Sequence, residues 1–189
     1  MKRYPNLGKV LLASASPRRR ELLSNLGLEF SVEVPQIDES PLTEEAARAF
    51  VERLAGGKAE AVAADSKTVL IAADTVVVLD GTILGKPAGE AHAAEMLARL
   101  SGRSHEVITG VCVRRGERRQ VFSVATEVVF RTLETEEIRA YVASGCPMDK
   151  AGAYAIQGGA AHMVRAIKGS YTNVVGLPLC ELHEALISF

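Results

Sequence analysis

The sequence lacks tryptophan, is poor in cysteine and has no excess of either charge. Its three cysteines, Cys112, Cys146 and Cys180, are odd in number and far apart, so neither a disulfide framework nor a CxxC metal or redox motif is available. Lysine and arginine total 22 against 23 acidic residues, which gives no reason to expect binding to nucleic acid or to an anionic membrane. We therefore expect a cytoplasmic protein in which any anion-binding site is a local cluster.

Long apolar runs and closely spaced histidines are also absent. The apolar run at residues 10–15 is too short for a signal peptide or a membrane span, and residues 1–8 contain no long apolar stretch. The four histidines show no metal-binding spacing, and we interpret each as a surface or packing residue: His92, His105, His162 and His183. No repeat, linker or low-complexity segment divides the chain. We predict a single domain over residues 1–189.

Alternation of strand and helix patterns predicts an α/β fold with a mixed sheet. Strands are predicted at residues 9–15, 30–34, 68–79, 82–84, 105–114, 120–130 and 163–167. Helices are predicted at 17–26, from Thr43 until Gly56-Gly57 weakens the pattern, at 88–100, at 134–143 and from Pro178 onward. Residues 145–159 are rich in glycine and polar side chains and predict an irregular loop.

The first segment with chemical potential joins a strand to a helix, at residues 14–20. Ser16 can cap the helix and Pro17 can occupy its first position, so three arginines fall in the first turn. Cations at that end oppose the helix dipole unless an anion binds there, and a triphosphate could accept from backbone N–H groups, serine hydroxyls and guanidinium groups together. The alternative is a solvated basic helix face.

The second segment contains Asp74, the one charged residue in the strand predicted at 68–79. An unpaired buried carboxylate is costly, and a metal ion or a lysine would remove that cost. The alternative is a structural aspartate satisfied at a strand end. We favour function because Thr75 and the valines after it continue the strand without a turn to cap. A covalent aspartyl-phosphate mechanism is weak, because the second acid that it needs two residues later is replaced by Val76.

A third group consists of acids and lysines near loops or element ends, where side chains can converge. Individually each is an ordinary solvated residue, but together with Asp74 they would supply carboxylates for Mg²⁺ or Mn²⁺ and fixed cations for phosphates. A P-loop is absent, and the glycines at 152–159 are too loosely spaced for a dinucleotide-binding motif. The members of the group are Asp38, Glu39, Lys58, Gly85-Lys86-Pro87, Asp149 and Lys150.

Taken together, the motifs resemble those of the Maf proteins, nucleoside triphosphate pyrophosphatases that are also described as septum formation inhibitors. The resemblance spans nearly the whole chain, and several blocks in the same order are highly specific. The blocks are Leu12-Ala13-Ser14-Ala15-Ser16-Pro17-Arg18-Arg19, Asp38-Glu39-Ser40, Ala73-Asp74-Thr75, Gly85-Lys86-Pro87, Leu100-Ser101-Gly102, Thr109-Gly110-Val111, Asp149-Lys150-Ala151-Gly152-Ala153-Tyr154, Ile156-Gln157-Gly158 and residues 169–178. Departures are Gly56-Gly57, which puts the placement of Lys58 in doubt, and Ala155, where glycine is usual.

The resemblance implies a mixed α/β fold with two lobes around a deep cleft, related to inosine triphosphate pyrophosphatases, and a homodimer. It places Asp74 at the position of the catalytic base. We expect metal-assisted attack of water on the α-phosphorus, with Asp74 and Glu39 holding a divalent cation (Mg²⁺ or Mn²⁺) or the water. Lys58 and Lys86 complete the predicted catalytic set. The predicted substrate-binding residues are Ser14, Arg18, Arg19, Thr75, Asp149, Lys150 and Gln157.

The identity of the base is predicted from three positions. Arg18, Thr75 and Gln157 are similar to the subgroup acting on dTTP and UTP, whereas the subgroup acting on 7-methyl-GTP has Trp, Gln and Glu at these positions. The predicted function is therefore hydrolysis of dTTP and UTP to the monophosphate and pyrophosphate, for sanitation of the nucleotide pool. The alternatives are a 7-methyl-GTP pyrophosphatase and a nucleotide-binding regulator of cell division.

Overall fold

The computed structural model describes residue 4 and residues 7–189. Residues 1–3 and 5–6 lie outside it, and with them most of the N-terminal segment in which we expected no targeting sequence. Strands are β1 (Val10–Ala13), β2 (Ser31–Glu33), β3 (Val69–Leu79), β4 (Thr82–Leu84), β5 (Ser104–Arg115), β6 (Arg118–Phe130) and β7 (Val164–Lys168). Helices are α1 (Pro17–Ser24), α2 (Ala47–Glu60), α3 (Glu90–Leu100), α4 (Thr135–Ala143), α5 (Tyr171–Val175) and α6 (Leu179–Ile187). Within the described residues, no helix combines the length and the apolar character needed to cross a bilayer.

The strands form one mixed sheet in the order β2-β1-β3-β5-β6-β7, with β4 paired to β3. β1 is parallel to both β2 and β3, while β4 and β7 run antiparallel to their partners. Asp80 and Gly81 both have positive φ between β3 and β4, as a type I′ hairpin turn of two residues requires. The expected α/β fold with a mixed sheet is confirmed.

The chain divides into two compact units. Unit 1 comprises residues 1–74, 109–124 and 176–189, and unit 2 comprises residues 75–108 and 125–175. Strands β3, β5 and β6 each contribute residues to both units. In unit 1, small and branched side chains of β1, β3, β5 and α2 form a core cluster that includes Ala13, Ala55, Ala72 and Cys112.

Helix α2 differs from its prediction at both ends. Glu44 has a φ of 56°, in the left-handed region, and the helix begins three residues later at Ala47. At its other end, the helix continues through Gly56-Gly57 to Glu60, although glycine is costly inside a helix. A side chain at Gly56 would overlap the Arg119 guanidinium, which passes over the helix to pair with Glu60. Close packing therefore overrides the low helix propensity of glycine.

A second close approach explains how α2 reaches the sheet. A side chain at Gly110 on β5 would overlap the backbone of Val51, so glycine lets the helix lie directly against the strand. Phe50, Val51 and Leu54 are buried on this face of α2. Their burial, at about 25 cal/mol per Å² of apolar surface, outweighs the cost of about 1 kcal/mol for each internal glycine.

Helix α5 was missing from the predicted elements. It has only five residues, and its Asn173 is fully buried in unit 2. The Asn173 amide donates to the Val107 carbonyl at 2.9 Å and to the Thr126 hydroxyl at 3.0 Å. The helix thus depends on polar tertiary contacts that a local pattern of apolar residues does not reveal.

His105 and Tyr154 form a buried polar pair in unit 2, which confirms His105 as a packing residue. The His105 Nε2 and Tyr154 hydroxyl are 2.7 Å apart, and both rings contact Phe130 edge to face. Burial lowers the pKa of His105 from 6.5 to about 4 and raises the pKa of Tyr154. The imidazole is therefore neutral at pH 7.

We expect His105 to make stability fall in mildly acidic solution. The unfolded chain binds a proton at this histidine below pH 6.5, whereas the folded protein does so only near pH 4. Stability is thus lost as the pH falls from 6.5 to 4, by about 3 kcal/mol for this group. Urea unfolding at several pH values should show the loss, and His105→Gln should flatten it in this window. His92→Gln, at an exposed histidine, is the control and should keep the wild-type slope.

Candidate functional site

The junction of β1 and α1 is built as the sequence predicts. Ser16 caps α1 by accepting a hydrogen bond from the Arg19 backbone N–H, and Pro17 occupies the first helical position. Ser14 is buried at the end of β1, and its hydroxyl accepts from the Ser16 N–H at 3.1 Å. The turn therefore places two serine hydroxyls at the N-terminus of α1, where the positive end of the helix dipole favours an anion.

Arg19 is the arginine that this junction holds in place. Its Nε donates to the Gly176 carbonyl at 2.8 Å, and its Nη1 lies 3.5 Å from the Ser14 hydroxyl. Burial lowers the pKa of Arg19, while the negative charges of Asp74 and Glu39 act in the opposite direction. The guanidinium stays protonated, since arginine does not lose its proton in proteins. A fixed cation thus lies within electrostatic reach of both carboxylates.

Asp74 lies on β3 at the end of the sheet where β1 has stopped. Ala13, the last residue of β1, is paired with Ala72, so Asp74 lies two residues beyond the final pair of this parallel ladder. Its side chain is only 12% exposed, and its Oδ1 accepts from the Lys58 ammonium at 2.6 Å. A lysine, one of the two kinds of partner expected for this buried carboxylate, is therefore present.

Lys58 comes from the last turns of α2 and is itself buried. Its ammonium also contacts the Glu39 carboxylate at 2.7 Å, so it bridges two acids. The Glu39 side chain is 48% exposed and belongs to the irregular segment between β2 and α2. Because α2 continues through Gly56-Gly57, the doubt about the placement of Lys58 is resolved, and Lys58 lies on the buried face of the helix.

Five of the predicted residues are therefore brought together in unit 1: Ser14, Arg19, Glu39, Lys58 and Asp74. Arg19 and Lys58 balance the charges of Asp74 and Glu39, so this group is close to neutral as it stands. Arg18 is half-buried beside it, and its charge lowers the pKa of Arg19. One further cation next to a neutral cluster at a helix N-terminus favours an anionic ligand.

The other predicted residues belong to unit 2. Thr75 is half-buried on β3, and Val77, two residues later, lies on the same face of the strand. A side chain at Gly152 would clash with Val77, so the turn at 151–153 lies against that face. The Gly152 N–H donates to the Gly85 carbonyl at 3.0 Å, which brings the segment of exposed Lys86 beside this turn.

Asp149 and Lys150 form a pair just before this turn. The Lys150 ammonium donates to the Asp149 carboxylate at 2.5 Å and to the Cys146 carbonyl at 2.6 Å. Gln157 is half-buried in the loop that follows, whose backbone contacts Tyr141 on α4 through the Ala155 N–H. Asp149 and Lys150 thus precede a turn of unit 2 that contacts chain neighbours of Thr75 and Lys86, and the roles assigned to these four residues stay predictions.

Two contributors to the unit 1 group were not foreseen. The Gly176 carbonyl that holds Arg19 lies in a block that carried the resemblance, but no side chain marked it as functional. Arg53 on α2 contacts the segment that contains Glu39, because its guanidinium donates hydrogen bonds to the Glu45 carboxylate and to the Ser40 carbonyl. No local pattern indicated the second, because Glu45 lies before α2 and eight residues from Arg53, beyond the spacing of three or four at which helical side chains pair.

The Asp74 and Glu39 carboxylates fit a metal ion only if the substrate supplies further ligands. Among the described residues, no group of three or more His, Cys, Asp or Glu side chains could hold an ion. Asp74 and Glu39 nevertheless contact the same cationic atom, Lys58 Nζ. Mg²⁺ commonly takes one or two carboxylates together with water and substrate phosphates. The pair therefore suits an ion that arrives with a triphosphate, rather than one held by protein ligands alone.

Replacing Arg19 tests the anion-binding end of α1. We expect Arg19→Ala to raise the KM for a nucleoside triphosphate by about tenfold, because a fixed guanidinium is lost. Stability should fall by only about 1 kcal/mol, since the hydrogen bond to Gly176 is lost while a cation is removed from a helix N-terminus. Steady-state kinetics and thermal unfolding measure the two effects. An unchanged KM with a large loss of melting temperature would make Arg19 a purely structural residue.

Comparison with known proteins gives one family over nearly the whole chain, and it is the family that the sequence motifs resemble. The family described as Maf-like protein matches residues 9–189. A dTTP/UTP pyrophosphatase of Geobacter sulfurreducens is 58% identical over 182 residues, which cover 95% of each chain. The protein of the same description from Geobacter metallireducens is 57% identical over 185 residues, covering 96% of each chain.

Among solved structures, a HAM1 protein from Coxiella burnetii has a similar fold. It aligns with a TM-score of 0.51 over 96% of this chain and 99% of that one, at 17% sequence identity. At this identity the likeness concerns the fold alone. The family matches residues 9–189 and its relatives are identical at more than half of the aligned positions, which shows that this chain belongs to the Maf family.

Proposed function

We propose that this protein hydrolyses dTTP and UTP to the nucleoside monophosphate and pyrophosphate. Relatives described as dTTP/UTP pyrophosphatases match at 58% and 57% identity over nearly the whole chain. The observation that carries the proposal is the buried Asp74 carboxylate, held by Lys58 beside an arginine at a helix N-terminus. A base next to an anion-binding end is the arrangement that phosphoanhydride hydrolysis requires.

Asp74 serves as the general base in this proposal. Lys58 engages Oδ1 at 2.6 Å and stabilises the ionised carboxylate, while the second oxygen can accept a hydrogen bond from water. The carboxylate orients that water toward the α-phosphorus and takes its proton as the new P–O bond forms. The bond from the α-phosphorus to the bridging oxygen breaks, and pyrophosphate leaves with the electron pair.

The cationic side chains of the site bind the triphosphate in this proposal. Arg19 binds phosphate oxygens at the positive end of the α1 dipole, and both stabilise the charge that grows on the leaving group. Ser14, Arg18, Lys86, Asp149 and Lys150 are proposed as further substrate-binding residues. A divalent ion bound with the substrate would polarise the phosphates, and Asp74 and Glu39 are the residues that would hold it.

The wider setting is also a proposal. Cys112, Cys146 and Cys180 are all free thiols, which supports a reducing compartment such as the cytoplasm. The homodimer that the resemblance implies, and a role in removing unwanted triphosphates from the nucleotide pool, stay predictions. The proposed binding partner is the nucleoside triphosphate substrate, dTTP or UTP.

Product analysis tests the function directly. Pure protein is incubated with UTP or dTTP and Mg²⁺, and the products are separated by ion-exchange chromatography. We expect equal amounts of the monophosphate and pyrophosphate, with no accumulation of the diphosphate. Release of inorganic phosphate and a diphosphate would overturn the proposed cleavage site. Tight nucleotide binding without turnover would favour the regulatory alternative, and faster turnover of 7-methyl-GTP would favour the other subgroup.

A further inference from the structure

Arg53 on α2 makes a forked contact with the segment that carries Glu39. Its Nε and Nη2 donate to the two carboxylate oxygens of Glu45 at 2.7 and 2.6 Å. The same Nη2 donates to the Ser40 carbonyl at 3.1 Å, one residue after Glu39. A guanidinium that forms two parallel hydrogen bonds has a defined orientation, so the contact fixes geometry as well as charge.

The segment between Asp38 and Glu45 is closed by its own polar contacts around this arginine. The Asp38 carboxylate accepts from the Ser40 N–H at 2.9 Å, and the Glu45 carboxylate accepts from the Leu42 N–H at 3.1 Å. Hydrogen bonds from Arg53 lower the pKa of Glu45, and those from Ser40 lower the pKa of Asp38. Both acids are therefore ionised at neutral pH, and the ion pair with Arg53 persists there.

Glu39 needs such an anchor because packing does not hold it. Its side chain is 48% exposed, whereas the Glu45 side chain is 8% exposed. Arg53 and Lys58 belong to the same helix, so α2 fixes both the cation that Glu39 contacts and the backbone from which Glu39 extends. A loss of the Arg53 contact would leave Lys58 in place and release the segment that carries Glu39.

We propose that Arg53 is a positioning residue that acts through Glu39: by holding Glu45 and the Ser40 carbonyl it sets the distance between the Glu39 carboxylate and the Asp74–Lys58 pair. This inference deepens the proposed function and rests on it, since the group that Arg53 positions is one to which we assign catalysis. Misplacing a catalytic group by a fraction of an ångström to an ångström lowers turnover by about 10- to 100-fold.

A double-mutant cycle separates this role from a general contribution to stability. Arg53→Ala is made in the wild-type and in the Glu39→Gln background, and UTP hydrolysis is followed with enzyme in excess so that slow variants remain measurable. We expect a loss of about 10- to 100-fold in the wild-type background and of less than about twofold in the Glu39→Gln background. Arg53→Lys, which retains the charge without the fork, should lie in between. Equal losses in both backgrounds would overturn the proposal.

Arg131 supplies a matched control in unit 2. It also forms a forked pair, with Glu137 at 2.8 and 2.5 Å, and also donates to a backbone carbonyl, that of His162. Arg131→Ala should lower stability by a similar amount and leave UTP turnover close to that of the wild type. A parallel loss of turnover in both arginine variants would assign the effect to stability and overturn the proposal.

Hydrogen exchange gives a readout that does not need activity. We expect Arg53→Ala to speed deuterium uptake in residues 38–45, and Arg131→Ala to leave that segment unchanged. If wild-type protein released no pyrophosphate from UTP or dTTP, the proposed function would fail, and the exchange result would still decide whether Arg53 holds the segment of Glu39. Unchanged uptake in Arg53→Ala would overturn the anchoring contact itself.

Discussion

Asp74→Asn should keep the fold and lower kcat for UTP by about two orders of magnitude or more. The substitution preserves the size of the side chain and replaces an oxygen that can take a proton with an amide that cannot. The KM should change much less, because the cations that bind the triphosphate remain. Single-turnover kinetics with UTP and Mg²⁺ measure the chemical step directly.

The structure explains why this variant should fold. Lys58 contacts Glu39 as well as Asp74, so its buried ammonium keeps one carboxylate partner after the change. The asparagine oxygen can still accept a hydrogen bond from Lys58, and we expect a loss of only about 1–2 kcal/mol in the free energy of unfolding. Removing Lys58 instead would leave the buried Asp74 carboxylate without the cation that donates a hydrogen bond to it, and should cost about 3–5 kcal/mol.

Asp80 offers a matched control at the end of the same strand. It is also an ion-paired aspartate, bound to Arg103, but it lies exposed in the turn between β3 and β4. Asp80→Asn should leave turnover at the wild-type level, since asparagine tolerates the positive φ of this position. A folded Asp74→Asn protein with turnover like that of Asp80→Asn would exclude Asp74 as the base.

The sheet and the junction of β1 and α1 could be predicted because their signals are local. Ser16 and Pro17 determine where α1 begins, and the run of branched residues around Asp74 predicts β3 without any knowledge of its partners. The weakening of α2 expected at Gly56-Gly57 was wrong, because this part of the helix depends on a contact that is not local. Glycine lowers helix propensity locally, but here it admits the Arg119 side chain, which is far away in sequence.

The difference between local signals and contacts distant in sequence also decides what could be predicted of the candidate site. Asp74 stood out because a lone acid in an apolar strand needs a partner, and the structure supplies Lys58. The identity of that partner was not determined by the sequence, because several lysines near element ends could have filled the place. The anchoring role of Arg53 could not be predicted either, since it depends on Glu45 folding back onto α2 from an irregular segment.

The choice of base provides the second large effect that we predict. Replacing Arg18, Thr75 and Gln157 together by Trp, Gln and Glu should shift preference from UTP toward 7-methyl-GTP. Gln157 is the centre of this prediction, because a neutral amide offers both an acceptor and donors. Such a side chain can match the alternating O4, N3–H and O2 edge of uracil or thymine. A carboxylate at this position would face the carbonyl oxygens of the pyrimidine with acceptors only.

The three residues of the other subgroup, Trp, Gln and Glu, suit a cationic purine. A glutamate at position 157 complements the positive charge of 7-methylguanine, and a tryptophan at position 18 can stack on it. In the wild type, Arg18 would instead repel that charge. A site built to hydrogen-bond one edge rejects the wrong base more strongly than an apolar pocket does, since the mismatched polar groups are left unpaired.

The ratio of kcat/KM for UTP to that for 7-methyl-GTP measures the preference in both proteins. We expect a ratio well above one for the wild type and a decrease of about 100-fold or more in the triple variant, at roughly 1.4 kcal/mol for each factor of ten. Arg20→Trp is a suitable control, because it places the same indole on an exposed position of α1. Since Asp74, Lys58 and Glu39 are unchanged in every variant, a fall in the ratio can be attributed to recognition of the base. A wild-type ratio below one would show that these three residues do not select a pyrimidine.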